Sequence, residues 1–242
     1  MDIRYFDTLE STNNYCKLLD PKSVGEFTVI CAGKQTAGIG QQGNVWVSEP
    51  YKNLTFSIIL KPSFLALTDQ WLLSMTLAVA VSDCLNNVLP KEEVLIKWPN
   101  DIYVSNSKIC GILVTNQISG GNITQSICGI GLNVNQTEFP GWVPNPTSIK
   151  ELTHEEHNTS RILDYLLCCI KTRYEQMKSD PESIKPIYMS RLFRLGEPHT
   201  YHYKESEITA TITDVDHLGH LHLTTEEATE IVCDLKEIKF VI

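Results

Sequence analysis

The 242-residue sequence has little positive charge, and this shortage bears on its partners. Twenty Lys and Arg residues oppose 29 Asp and Glu residues, which gives a formal net charge of -9 at pH 7. Proteins bind a phosphate backbone mainly through basic residues, so an acidic chain is repelled by it. We therefore expect no nucleic-acid partner.

Long apolar segments are also scarce. Met1 is followed by Asp2, Ile3 and Arg4 rather than by an apolar leader. We expect no later stretch to approach the roughly 18 apolar residues that span a membrane. The sequence predicts a cytoplasmic protein without a membrane partner.

The cysteines lack the spacing of a metal site or a disulfide framework. There are eight, and no export signal accompanies them. Cys168 and Cys169 are neighbours that would point to different sides of a helix, and the other six are isolated. Five histidines near the carboxyl end, among them His220 and His222 on one strand face, are not joined by a recognisable set of further ligands. We expect reduced thiols, surface histidines and no protein-built metal site.

Alternating and helical apolar patterns predict a β-sheet together with helices. Strands are expected at 27–32, 45–47, 54–60, 94–98, 102–104, 109–114 and 123–134. Helices are expected after Ser11 and Thr12, over 70–88 with Asp69 as cap, from Ser160 to Tyr174 and over 182–192. Short runs at 201–203, 208–212, 221–223 and 231–235 predict a small β-barrel. The expected domains are 1–194 and 195–242.

A glycine-rich stretch, Gly38 to Gly43, matches the G-x-G-x-x-G pattern of dinucleotide sites. That pattern requires a helix directly afterwards, whereas residues 44–50 look like a strand and end in Pro50. The segment before it also fails as a P-loop, because Gln35 stands where Ser or Thr should hold magnesium. Two interpretations remain: a loop whose backbone amides wrap an anion or a small ligand, and a simple glycine turn.

The K-W-P-N-D corner, residues 97–101, is followed by a strand that begins at Lys108. Pro99 prevents strand continuation, and Lys108 could lie partly desolvated against a carboxylate or a phosphate. The alternative is a solvated strand end. In the later strand, Gly129, Gly131 and Asn133 share one face, which could hold a planar heterocycle or simply allow close packing.

Taken in order, these segments resemble the biotin protein ligases over almost the whole chain. The resemblance is carried by Ser11-Thr12-Asn13, Gln35 to Gly38, Trp46, the K-W-P-N-D corner, Lys108 and Gly129 to Asn133. It implies an α+β fold, in which a class II synthetase-like catalytic domain has a mixed or antiparallel sheet flanked by helices and is followed by a small SH3-like C-terminal barrel. It also implies biotin, ATP and Mg2+ as reactants and cofactor, and the biotin carboxyl carrier domain of a carboxylase as partner.

The resemblance implies roles position by position. Biotin would contact Ser11, Thr12, Gln35, Gly38, Trp46, Lys108, Gly111 and Leu113. ATP would contact Gly40, Gln41, Asn100, Lys108, Gly129, Gly131 and Asn133. Lys108 and Asp101 would be catalytic, with Lys108 on the biotin carboxylate and α-phosphate, and Asp101 near the acceptor lysine or the metal.

The sequence departs from the family pattern in the glycine-rich loop. Relatives carry basic residues where this chain has Ile39, Gln41 and Gln42. Each lost charge-assisted contact could cost roughly 1.5 to 3 kcal/mol. Either Lys34 or another cation substitutes, or the enzyme is slow, or the chain is a non-catalytic protein that binds biotin or the carrier. A separate alternative is a lipoate or octanoate transferase of the same superfamily, which should lack the W-P-N-D corner. Since no winged-helix segment precedes Ser11, we expect a monofunctional ligase, and a homodimer is compatible with the resemblance.

Overall fold

Two β-sheets and five α-helices make up the fold. The computed structural model describes the backbone of residues 1–242 and every side chain except that of Gln42. The strands are β1 (Asp2–Leu9), β2 (Thr28–Gln35), β3 (Leu54–Leu60), β4 (Val94–Lys97), β5 (Asp101–Val104), β6 (Ser107–Ser119), β7 (Asn122–Leu132), β8 (Pro198–Tyr203), β9 (Ser206–Val215), β10 (Leu221–Thr225), β11 (Glu230–Cys233) and β12 (Ile238–Phe240). The helices are α1 (Thr12–Leu18), α2 (Trp71–Val88), α3 (Ile149–Thr153), α4 (Thr159–Ser179) and α5 (Ile184–Ser190).

The larger sheet has seven strands in the order β1-β2-β3-β7-β6-β5-β4. β1 and β2 are parallel, and the other neighbours are antiparallel. The hairpin from β6 to β7 turns at Gly120 and Gly121, whose φ angles of 59° and 81° suit glycine. The mixed sheet flanked by helices confirms the expected fold class.

The two faces of this sheet are covered differently because side chains alternate along each strand. Ile58 and Cys128 belong to the main hydrophobic core, together with buried side chains of α2 and α4. Ile59 and Ile127, one position along each strand, pack with Cys16 of α1 in a smaller cluster. The short α1 covers only part of its face, and the site lies beside it.

Helix α2 is the central helix, as its apolar composition predicts. It packs against α4, whose Arg173 donates to both carboxylate oxygens of Asp83 at 2.6 and 3.1 Å. Arg191, which follows α5, donates to the same carboxylate at 2.8 Å. One acidic side chain of α2 therefore joins three segments on the covered face.

The carboxyl-terminal strands form a separate five-stranded sheet in the order β11-β10-β9-β8-β12. Within the described part of the chain β11 and β12 remain at opposite edges, so a closed barrel is not confirmed. These edge strands have only four and three residues, which limits further pairing. The boundary at residue 195 remains a prediction, since Tyr201 and Ile212 belong to the same main core as the larger sheet.

Three elements were not expected from the sequence, and one expected strand and one expected helix cap were wrong. β1, α3 and β12 are the additional elements. Residues 45–47 do not form a strand; Val45 makes only an isolated bridge to Ile39, because the chain is turning back there. Asp69 is not the cap of α2, since it lies in a short 3-10 turn and Gln70 occupies the cap position without a side-chain bond.

The segment Leu67–Val88 corrects the expectation about apolar stretches. By length and composition it could cross a membrane, with a mean hydropathy of 1.2 over its 18-residue window. In the folded chain 61% of that window is buried. A helix that packs against a sheet and against α4 is apolar on nearly all sides because it is buried in the core, so its composition resembles that of a membrane span.

Candidate functional site

A cleft of about 240 Å3 opens on the α1 face of the larger sheet. Thirteen of the fifteen residues assigned above to biotin, ATP or catalysis line it: Ser11, Thr12, Gln35, Gly40, Gln41, Trp46, Asn100, Asp101, Lys108, Gly111, Leu113, Gly129 and Gly131. They come from α1, β2, the loop after β2, the K-W-P-N-D corner, β6 and β7. The fold therefore brings distant segments of the sequence to one place.

One end of the cleft is a neutral polar pocket at the start of α1. The Ser11 hydroxyl caps the helix by accepting from the backbone N–H of Asn14. The Thr12 backbone N–H and hydroxyl donate to Gln35 Oε1 at 2.8 and 3.2 Å, and the Thr12 hydroxyl also lies 2.9 Å from Ser57 Oγ. With its oxygen occupied in this way, Gln35 can present its NH2 group to a ligand.

Asn13 is a site residue to which the sequence analysis gave no role. It lines the cleft and is only 2% exposed. Neither its amide oxygen nor its nitrogen has a hydrogen-bond partner among the described residues. A buried amide without partners is costly, so such a side chain often marks a binding site. Its position within the Ser-Thr-Asn run was the available signal.

The charged centre of the cleft is an ion pair between Lys108 and Asp101. Lys108 Nζ lies 2.6 Å from Asp101 Oδ1, and the two side chains are 26% and 20% exposed. Among the described residues that line the cleft, these two are the ones with charged side chains. The expectation of a partly desolvated lysine against a carboxylate is what the structure shows.

The K-W-P-N-D corner is fastened to β6 through its asparagine. Asn100 donates its side-chain NH2 to the carbonyl oxygen of Ile112, and its own carbonyl accepts from the Ile112 N–H at 3.1 Å. Behind the corner, Lys97 Nζ lies 4.5 Å from the centre of the Phe240 ring. Burial lowers the pKa of Lys97, against an opposing effect of Asp101. The carboxyl-terminal strand β12 thus touches the corner.

The glycine loop, residues 34–46, forms a short hairpin over the cleft. The Trp46 N–H donates to the Gly38 carbonyl at 3.0 Å, and the Gly40 N–H donates to the Asn44 carbonyl at 2.7 Å. Ile39 lines the cleft, whereas Lys34 is exposed and does not. Lys34 therefore does not replace the missing arginines in this arrangement. The Gln42 side chain lies outside the described part of the structure.

Trp46 lies on the glycine floor of the cleft. A Cβ atom placed on Gly131 would come within 2.3 Å of the indole, and one on Gly111 within 3.1 Å. Lys108 Nζ is 5.7 Å from the ring centre. Close packing, one of the two interpretations of these glycines, is what the structure shows at Gly131, where the indole of Trp46 lies against the bare backbone.

Two predicted residues do not line the cleft. Gly38 lies so close to the opposite arm of the hairpin that a Cβ atom would come within 2.4 Å of the Trp46 carbonyl oxygen. Close packing therefore explains why this position is a glycine. Asn133 is buried and donates its NH2 group to the Thr147 carbonyl at 2.9 Å. Its Oδ1 atom has no partner among the described side chains and backbone groups. Both residues flank the cleft rather than face it.

The described residues contain no group of three or more His, Cys, Asp or Glu side chains able to hold a metal ion. All eight cysteines are free thiols, as expected. His220 and His222 bind a single carboxylate, that of Asp216, through contacts of 2.9 and 3.2 Å. This interaction belongs to a turn of the carboxyl-terminal sheet.

The comparison with known proteins agrees with these features. Residues 5–133 match the sequence model of the biotin/lipoate A/B protein ligase family. The chain is 31% identical to the bifunctional ligase/repressor BirA of Bacillus subtilis, over 92% of this chain and 69% of that protein. It is 30% identical to the biotin–[acetyl-CoA-carboxylase] ligase of Paracoccus denitrificans, over 92% of this chain and 94% of that protein.

Among solved structures, the biotin protein ligase from Aquifex aeolicus in complex with biotin and ATP superimposes with a TM-score of 0.82. That match has 27% sequence identity and covers 99% of both chains. Sequence and fold agree over nearly the full length, and the chain belongs to the biotin/lipoate A/B protein ligase family.

Proposed function

We propose that the chain is an ATP-dependent biotin ligase that works in two steps. The biotin carboxylate attacks the α-phosphate of ATP, which gives biotinyl-5'-adenylate and pyrophosphate. A lysine ε-amine of a biotin carboxyl carrier domain then attacks the mixed anhydride, which gives the biotinyl amide and releases AMP. The observation that carries the proposal is the Lys108–Asp101 pair in a cleft that is neutral and polar at one end.

The neutral end suits the ureido ring of biotin. That ring offers one carbonyl oxygen and two N–H groups, so its pocket needs both donors and acceptors. Asn13 supplies one of each, and Gln35 supplies a free NH2 group beside Ser11 and Thr12. Gly111 and Leu113 of β6 and the indole of Trp46 would enclose the apolar part of the molecule.

Lys108 would act where the two anionic substrates meet. A carboxylate and a triphosphate repel each other, and positive charge aimed at the reacting oxygens lowers the barrier. Lys108 is already held by Asp101 in a partly desolvated position, so little reorganisation is needed. Asp101 keeps the ammonium oriented, and as the carboxylate among the described lining residues of the cleft it would also lie near the acceptor amine.

ATP would lie between the glycine loop and β7. Gly40 and Gln41 would face the phosphates, with Gly129 and Gly131 beneath the nucleotide. Asn133 would read the adenine with its unpartnered Oδ1, which requires a rearrangement beside Trp46. Mg2+ fits this set as an ion held largely by ATP, since Asp101 is the one carboxylate among the described lining residues and Asn100 adds an amide oxygen. The ion would neutralise phosphate charge.

We infer that the absence of arginines slows the enzyme or lets the adenylate intermediate dissociate, and that it does not abolish the activity. Ile39 and Gln41 line the cleft without charge, yet Lys108, Asp101 and the polar end are intact. The Paracoccus denitrificans relative is named a biotin–[acetyl-CoA-carboxylase] ligase and the Aquifex aeolicus structure a biotin protein ligase, so a lipoate or octanoate transferase is not favoured.

The finer assignments follow from the same reasoning. We propose a cytoplasmic location, because eight free thiols suit a reducing compartment. The proposed partners are the carrier domain and a second copy of the chain in a homodimer, without nucleic acid or membrane. We also propose a catalytic domain over 1–194 and an SH3-like module over 195–242.

One assay tests the proposal. The chain is incubated with ATP, biotin and a carrier domain, and the carrier is weighed by mass spectrometry. We expect biotin attached to one lysine, and no product when lipoate or octanoate replaces biotin. A carrier that stays unmodified while the chain binds biotin would favour the non-catalytic alternative.

A further inference from the structure

Two cysteines meet where α2 packs against α4, on the side of the sheet away from the cleft. Cys84 of α2 is fully buried, and Cys169 of α4 is half-buried and packs against the same core. Cys84 donates its S–H to the sulfur of Cys169. Cys168, the neighbour of Cys169, lies on another side of α4 and is exposed. The fold therefore holds two thiols in contact, one of which solvent can reach.

A salt bridge beside the two thiols fixes their contact. Asp83 precedes Cys84 on α2, and Arg173 lies four residues after Cys169, on the same face of α4. Arg173 donates to both oxygens of Asp83 at 2.6 and 3.1 Å. Arg191 donates to the same carboxylate at 2.8 Å. Because these bonds hold the two helices together at this level, the two sulfur atoms remain neighbours.

The surroundings of Cys169 favour its thiolate form. The hydrogen bonds from Cys84 and from the Tyr165 hydroxyl lower the pKa of Cys169. The Arg173 guanidinium adds to this effect, whereas burial and the carboxylate bound to Arg173 oppose it without reversing it. The pKa of Cys84 is raised by its hydrogen bond to Cys169, by burial and by the neighbouring Cys110 of β6. The pair therefore consists of a nucleophilic thiol and a neutral thiol beside it.

We propose that Cys169 and Cys84 form a redox-active pair, in which hydrogen peroxide oxidises Cys169 and Cys84 then closes a disulfide. Hydrogen peroxide is small enough to reach a half-buried sulfur atom, and the thiolate is the form that it oxidises. The disulfide would tie α2 to α4, and a thiol reductant would open it again. Neither cysteine lines the cleft, so the inference does not depend on the proposed function.

The oxidation balances in two steps. The Cys169 thiolate attacks one oxygen of the peroxide, so that an S–O bond forms, the O–O bond breaks, and the departing hydroxide takes up a proton to become water. The sulfur of Cys84 loses its proton and attacks the sulfur of Cys169. The S–S bond forms, the S–O bond breaks, and the departing hydroxide becomes a second water. Two thiols lose two electrons, and one peroxide gains them.

Mass spectrometry of the reduced chain after treatment with hydrogen peroxide tests the proposal. Remaining thiols are alkylated with iodoacetamide, and peptides are mapped with and without reduction. Cys169→Ser removes the nucleophile, Cys84→Ser removes its partner, and Cys168→Ser is the matched control. In the untreated chain, the rate of Cys169 alkylation is followed as a function of pH. Circular dichroism melts verify that the variants fold.

We expect the wild type and Cys168→Ser to lose the mass of two hydrogen atoms and to yield a peptide that joins residues 84 and 169. Dithiothreitol should reverse both changes. Cys84→Ser should stop at the Cys169 sulfenic acid, which dimedone traps, and Cys169→Ser should be oxidised at least about tenfold more slowly. The alkylation of Cys169 should have a midpoint below the ordinary thiol value of about 8.5, and Tyr165→Phe should raise it.

Three results would overturn the proposal. They are a wild type that keeps both thiols in peroxide, a disulfide that joins other cysteines, and an alkylation midpoint of Cys169 at or above about 8.5. All three are measured on the wild type, so a serine variant that does not fold leaves the test intact.

Discussion

Lys108 and Asp101 carry the charge of the cleft among its described side chains, and their pairing bears on the proposal that one lysine serves two anionic substrates. A lone ammonium on a four-carbon stem is mobile, whereas Lys108 is held at 2.6 Å from Asp101. Its position next to Gly111 and Trp46 leaves little room for other conformations. Preorganised charge of this kind is worth more than mobile charge, because it is not reoriented during the reaction.

Replacing Lys108 by alanine should remove most adenylate formation. We expect biotin-dependent pyrophosphate exchange to fall about 100- to 1,000-fold, the usual cost of losing one preorganised group at a reaction centre. A partly exposed ion pair is worth about 1 kcal/mol or less, so the thermal midpoint should shift by no more than roughly 4 °C. Lys239→Ala, on exposed β12, is the control. Near wild-type exchange in the folded Lys108→Ala variant would contradict the assigned role.

Ile39→Arg should strengthen retention of biotinyl adenylate. Ile39 lines the cleft, so a guanidinium placed there can reach the ligand's anionic groups. We expect stopped-flow measurement to show adenylate release slowed by roughly tenfold, about 1.4 kcal/mol. Ile118→Arg, on the exposed end of β6, controls for added charge. Unchanged release together with an unchanged melting temperature would place residue 39 on an inert part of the loop.

The conformation of the glycine loop depends on the glycines of β6 and β7 against which Trp46 packs. Trp46 rests on Gly131 and Gly111, and its Nε1 finds no acceptor among the described residues. Glycines at 38, 40 and 43 raise the entropic cost of holding the loop in place. We expect ligand contacts to offset this cost, so that saturating biotinyl adenylate protects residues 34–46 from proteolysis. Equal cleavage with and without the adenylate would contradict this.

Gly131→Ala should displace Trp46 and weaken biotin binding. The added Cβ atom would fall 2.3 Å from the indole, a distance that forces the ring away. We expect a shift in tryptophan emission and a biotin Kd raised about tenfold, or 1.4 kcal/mol. Gly141→Ala is the matched control, since nothing lies within 4 Å of its Cβ position and its φ is not positive. Unaltered emission and Kd in the Gly131 variant would show that the indole does not rest on this floor.

The turn between β9 and β10 is held by Asp216. Its Oδ1 accepts from the N–H groups of Leu218 and His220, both at 2.9 Å, and its Oδ2 faces the rings of His220 and His222. Burial alone would raise the pKa of Asp216, but the hydrogen bonds from the two histidines outweigh that effect and lower it. This turn carries Gly219 to Trp71 and Trp98, so its order supports the contact between the carboxyl-terminal sheet and the K-W-P-N-D corner.

Asp216→Asn should cost stability in a way that depends on pH. A carboxyl group whose pKa is lowered by folding stabilises the native state above its unfolded pKa of about 3.9, and this contribution is lost as the pH falls below that value. We expect the variant to be about 1–2 kcal/mol less stable than wild type at pH 5. The difference should shrink as the pH is lowered below about 4. Urea melts across this range measure it, with Asp164→Asn on exposed α4 as control. A difference that grows towards acid would contradict the assignment.

The charge of the entire molecule predicts its behaviour towards DNA. A net charge of -9 opposes the counterion release that drives association with a duplex. At physiological salt we expect binding weaker than roughly 10 µM, at the weak side of ordinary non-specific binding. Fluorescence anisotropy with a labelled operator-like duplex tests this, with a basic DNA-binding protein as positive control. Submicromolar, salt-sensitive binding would contradict the expectation.

Much of the site could be recognised from short segments. Ser11 and Thr12 indicate where α1 begins, and Pro99 indicates that β4 ends before it. The two-residue spacing of Gly129 and Gly131 places them on one face of their strand. These are local properties of caps, turns and strand periods, which neighbouring residues decide. They sufficed for a sheet flanked by helices and for the resemblance. The resemblance in turn implied fifteen site residues, of which thirteen line the cleft.

The tertiary structure decided the contacts between segments. Three features depend on strand register and on the return of the glycine loop: Lys108 pairs with Asp101, Trp46 covers Gly131, and Asn13 has no hydrogen-bond partner among the described residues. β1 was missed for the same reason, since this strand lies at the sheet edge and is defined by its parallel partner β2. The sequence by itself determined which residue types are present and how they are locally arranged. Contacts between segments that are far apart in the sequence decided which of these residues meet. A shift of one residue in strand register would exchange the two faces of a strand and change those contacts.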